Sequence, residues 1–114
     1  MPVEGIGGIF LRSPDPKRLG DWYERHLGLK NGGATPTQAG PLVVCAFARD
    51  TDYFPSAQSF MVNLRVSDLP GLLRDLAAAG IVEAKPQVSL DGIGRFAWIA
   101  DPDGNRIELW EPGG

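Results

Sequence analysis

The clearest pattern of apolar and polar positions is the closing stretch from Phe96 to Pro112, where two alternating runs flank Asp101-Pro102-Asp103-Gly104. Alternation at a period of two predicts strands, and the Pro-Asp-Gly sequence supplies turn chemistry between them. In the second run, Ile107 and Leu109 fall on one face, and Arg106, Glu108 and Trp110 on the other. Two other segments change period. Leu19, Trp22, Tyr23, His26 and Leu27 recur at helical spacing, as do Leu69, Leu72, Leu73 and Leu76. Each apolar stripe follows an aspartate placed to cap a helix and runs up to a glycine, Gly28 or Gly80, placed to end one.

The strands that lead into these helices are related. Gly8-Ile-Phe-Leu-Arg-Ser-Pro-Asp15 reappears as Met61-Val-Asn-Leu-Arg-Val-Ser-Asp68, with Leu-Arg and the final aspartate in register. Leu42–Phe47 reads as a strand closing the first half, Asn31–Gly40 as a loop where a fuller hairpin would stand, and Asp50–Ser59 as a linker. The chain is therefore read as one domain, residues 1–114, built of two β-α-β-β-type modules at about 3–50 and 58–112.

Composition narrows the function classes. The apolar fraction of 43% and charged fraction of 22% suit an ordinary globular chain, and a net charge of -3 gives no electrostatic reason to expect nucleic acid. No apolar run reaches transmembrane length, so no membrane partner is expected. Cys45 is the single cysteine, which excludes an internal disulfide and makes a cytoplasmic setting the expectation.

Helices can cover the sheet face carrying Ile9, Leu11, Val62, Leu64 and Val66. The opposite face then carries Phe10 and Arg12 from the first half, and Met61, Asn63 and Arg65 from the second. Two arginines and an asparagine are costly in a dry interior. They fit a partly polar cleft, or equally a solvated rim where each arginine pairs with a nearby carboxylate. Arg106, Glu108 and Trp110 join the candidate lining, with Trp98 and Arg95 as additions, although Trp98 also reads as core.

The strand running into Asp15, the helix sequence Trp22-Tyr-Glu-Arg-His-Leu-Gly-Leu29 and the closing Asp101-Pro-Asp-Gly-Asn-Arg-Ile-Glu-Leu-Trp-Glu-Pro112 together resemble the vicinal oxygen chelate superfamily. That group includes glyoxalase I, bleomycin-resistance proteins and extradiol dioxygenases. The resemblance covers nearly the whole chain and is weakest over residues 30–58. It implies an α+β fold in which two βαβββ modules form a half-open, cup-shaped mixed sheet with helices on its outer face, commonly completed as a homodimer. It also implies metal ligands at the first and last strand of each module, here Gly8, Cys45, Met61 and Glu108. Glu108 alone is a good ligand for a divalent ion. Glycine has no side chain, the Met61 thioether is too soft, and an isolated Cys45 reads as a small hydrophobe. A catalytic site normally takes three protein ligands, so a divalent metal site here is incomplete and no cofactor is expected. His26, on the apolar helix stripe, offers no replacement.

The reading that results is a glyoxalase- or bleomycin-resistance-like protein binding a small molecule in the sheet cleft without the usual metal centre. The candidate binding residues are Phe10, Arg12, Met61, Asn63, Arg65, Arg106 and Trp110. The alternative is a metal-dependent lyase or isomerase of glyoxalase type in which Glu108 is ligand or catalytic base.

Overall fold

The computed structural model describes residues 8–40 and 42–113. These divide into two compact units with the boundary between Arg49 and Asp50.

Among the described residues, the first unit contains one helix, α1 (Pro16–Leu27). The Asp15 carboxylate accepts the Arg18 N–H at its start, and Pro16 occupies a position where no donor is needed. Gly28 ends it in the left-handed conformation, φ 71°. The predicted stripe is the less exposed side of the helix, with Leu19 buried and Trp22, Tyr23, His26 and Leu27 half-buried. His26 lies against Trp22, ring centroids 5.5 Å apart, within the helical layer.

The strands expected at Gly8–Asp15 and Leu42–Phe47 are not formed among the described residues, which are irregular there. A strand exists only through a ladder partner, and the loop between Asn31 and Gly40 supplies no hairpin within this unit. Apolar side chains in these stretches accordingly stand open, Val44 at 84% and Phe10 at 92% exposure.

The second unit contains β1 (Val62–Arg65), α2 (Leu69–Ala78), β2 (Lys85–Leu90), β3 (Gly94–Ala100) and β4 (Arg106–Pro112). Its mixed sheet has the order β1-β4-β3-β2, with β1 parallel to β4 and the other pairs antiparallel. This is the α+β architecture expected, with the described strands confined to the second unit. β2 was not read from the sequence. Pro86 argues against a central strand, and β2 is indeed an edge strand, with irregular register between Lys85 and Val88.

One sheet face carries the core. Ala97, Ile99, Ile107 and Leu109 are buried, as are Leu69 and Leu76 of α2, which packs against β4. The helix is fixed at both ends. Asp68 accepts the Gly71 N–H, and Glu111 of β4 accepts the Leu69 N–H at 2.8 Å. At the other end Gly80, φ 83°, lets the Ile81 N–H reach the Leu76 carbonyl. Glu111 also faces Arg95 at 3.8 Å, so Arg95 belongs to the helix-facing side of β3 and is removed from the lining proposed beside Trp98.

The β3–β4 turn forms as its residues predict. The buried Asp101 carboxylate accepts the N–H groups of Asp103 and Asn105 and the Asn105 side-chain amide, while Gly104 adopts φ 84°. No helix among the described residues is long and apolar enough to cross a membrane.

Candidate functional site

Register builds the site on the sheet face away from the core. Asn63 pairs with Glu108, Glu108 with Trp98, and Trp98 with Lys85, so these four side chains form one row across all four strands. The next row is Arg65, Trp110, Phe96 and Val88.

Glu108 is 8% exposed and lies at the centre. Its Oε1 accepts from the Asn63 amide at 2.7 Å, and its Oε2 accepts from the Tyr53 hydroxyl at 2.5 Å and the Trp98 indole N–H at 2.9 Å. All three donors are neutral, and Glu108 has no ion pair among the described residues. Burial, with the adjacent carboxylate second, pushes the Tyr53 phenol well above its ordinary range, so it stays protonated and donates. Trp98 is 2% exposed, so it is both core and a member of this network.

Tyr53 was assigned to the linker, and its participation is the main residue that sequence reasoning missed. Two contacts hold its segment in place. The Arg106 guanidinium donates to the Tyr53 carbonyl at 3.1 Å, and the Gln58 side-chain amide both donates to the Arg106 carbonyl and accepts its N–H, each at 2.8 Å. The sequence signal was two aromatics, Tyr53 and Phe54, and an amide in an otherwise small and polar stretch.

The half-buried aromatic residues of the next row make a fixed flat surface. Phe96 and Trp110 lie 6.1 Å apart with planes 4° from parallel, and the Trp110 indole donates to the Ile93 carbonyl. Phe96 continues to Trp98 at 6.3 Å and 17°. The Lys85 ammonium lies over the rings of Tyr53 and Trp98, 4.5 and 4.2 Å from their centroids.

Of the residues named from the sequence, Asn63, Glu108 and Trp98 are brought together by hydrogen bonds. Arg106 anchors Tyr53, Trp110 and Arg65 occupy the adjoining row, and Met61 is half-buried just before β1. Phe10, Arg12, Gly8 and Cys45 lie in the first unit, where all four are exposed.

The donor set around Glu108 does not fit a divalent ion. Its neighbours present N–H and O–H hydrogens where a metal shell requires lone pairs. Among the described residues no three His, Cys, Asp or Glu side chains come together.

Several solved structures share this fold. TnmS3, an antibiotic binding protein from Streptomyces sp. CB03234, is 25% identical over 99% of each chain with a TM-score of 0.66. A superfamily member from Sphaerobacter thermophilus DSM 20745 is 18% identical, covering 97% of this chain and 99% of its own, with a TM-score of 0.63. A glyoxalase-related enzyme from Fulvimarina pelagi is 20% identical, covering 96% and 88%, with a TM-score of 0.58. No curated protein matches the chain. The sequence model of the Glyoxalase/Bleomycin resistance protein/Dioxygenase superfamily matches residues 5–109, and the chain belongs to that superfamily.

Proposed function

We propose that this protein binds a small, largely aromatic molecule on the Glu108 face of its sheet and that it does so without a metal ion. The observation that carries the reading is a fully engaged carboxylate beside a fixed aromatic surface. Three neutral donors hold Glu108, while Phe96 and Trp110 offer a flat, half-buried surface for stacking. Arg65 stands exposed beside Trp110 in the same row, at the edge where a polar substituent of a stacked ligand would lie. Because the Trp110 indole and Glu108 are already tied by hydrogen bonds, little ordering is left for the ligand to impose.

The likeness to TnmS3, an antibiotic binding protein, supports a small-molecule ligand. Homodimerisation is part of the proposal, and sedimentation of the purified protein tests it.

The central experiment is a calorimetric titration against a panel of polycyclic aromatic antibiotics and aromatic metabolites, run beside elemental analysis of the purified protein. Saturable binding that Trp110→Ala weakens at least tenfold is the expected result. A stoichiometric divalent ion, with turnover of the methylglyoxal–glutathione hemithioacetal lost in Glu108→Gln, would replace this reading with a lyase. A panel without any binder would remove it.

A further inference from the structure

The Lys85 ammonium forms no hydrogen bond or ion pair among the described residues. Instead it occupies a corner whose two walls are the rings of Tyr53 and Trp98, set 87° apart with centroids separated by 6.0 Å. Both walls donate to the same carboxylate oxygen, Glu108 Oε2. That carboxylate is buried and forms no ion pair among the described residues, and donation to it makes both rings richer in electrons.

We propose that this corner is a recognition site for an organic cation, a quaternary or alkylated ammonium group on the ligand, and that Lys85 is its tethered competitor. The proposal rests on the reading of this face as a small-molecule site and names the ligand's charge. Lys85 is well placed to give way. It stands at the start of the edge strand β2, beside Pro86 and the break in register, so its side chain can swing outward without unpairing the sheet. An open depression lined by Glu83, Lys85, Pro86 and Gln87 lies beside it. A primary ammonium regains strong hydration on leaving, whereas a quaternary ammonium is weakly hydrated and gains more from two ring faces and the charge behind them.

The test follows the indole N–H of Trp98 by NMR while the whole protein is titrated with tetramethylammonium chloride, and separately with neutral tert-butanol. The wild type, Lys85→Met and the double variant Lys85→Met/Tyr53→Leu are compared, each first shown by circular dichroism to be folded. The proposal expects Lys85→Met to bind tetramethylammonium at least tenfold more tightly than the wild type, with tert-butanol unaffected. Removal of the Tyr53 wall should abolish the gain. Equal or weaker binding by Lys85→Met, or equal response to tert-butanol, overturns it. Aromatic ligands that bind while tetramethylammonium does not would leave the binding function standing and remove the cation. Absence of both would remove the two proposals together.

Discussion

The Glu108 network separates the need for an acceptor from the need for a charge, and two substitutions distinguish them. Glu108→Leu removes the acceptor from three donors. The Trp98 N–H is buried and has nowhere to turn, which costs about 1–3 kcal/mol. Asn63 is exposed and Tyr53 half-exposed, so both recover part of their loss with water. The sum is about 3 kcal/mol.

Glu108→Gln behaves differently. Its carbonyl oxygen can stand at the Oε2 position and accept from Tyr53 and Trp98. Its NH2 then faces Asn63, whose amide rotates to present an oxygen. Only the charge assistance is lost, about 1 kcal/mol or less. Urea unfolding followed by circular dichroism reads both numbers, provided the slope with denaturant is unchanged. If the glutamine variant were as unstable as the leucine variant, acceptor geometry would not be what the network supplies. The reasoning fails equally if leucine costs nothing.

Three further outcomes are expected. Tyr53 loses its proton less readily when folded than when unfolded, so its contribution is complete below about pH 10. That contribution falls as pH rises beyond this value, and a Tyr53→Phe variant should show a flatter alkaline stability profile. Glu111→Ala removes the acceptor of the Leu69 N–H at the start of α2 and the partner of Arg95, and thermal unfolding should report a loss of about 1 kcal/mol. Gly94→Ala forces a Cβ toward the Glu111 carbonyl at φ 131°, and should cost about 3 kcal/mol by chemical denaturation, with no loss if the local backbone relaxes freely.

What the sequence made legible was local. The helix caps at Asp15 and Asp68, the Asp101 turn and the strand faces around Glu108 follow from side-chain chemistry within a few residues, and each appears where it was read. The Glu108 network spans β1, β3, β4 and the segment before β1. Only the first three were visible, because alternation marks strands and says nothing of a tyrosine in a proline-containing link. Lys85 was hidden by Pro86, which disguised an edge strand. Arg95 was set beside Trp98 against the alternation itself, because residues an odd number apart on one strand face opposite ways. In the first unit the pattern called for strands, but among the described residues no partner strand is present there to turn alternation into a ladder.

Gln58 has a further consequence. β1 begins opposite Ile107, so the backbone of Arg106 would otherwise expose a donor and an acceptor at a step of β4 that no strand covers. The Gln58 amide satisfies both with the geometry a neighbouring strand would provide. Open steps of this kind are where foreign chains add to a sheet and aggregation begins. A single side chain therefore acts as a stopper on the ladder, closing with one uncharged amide the step that β1 leaves open.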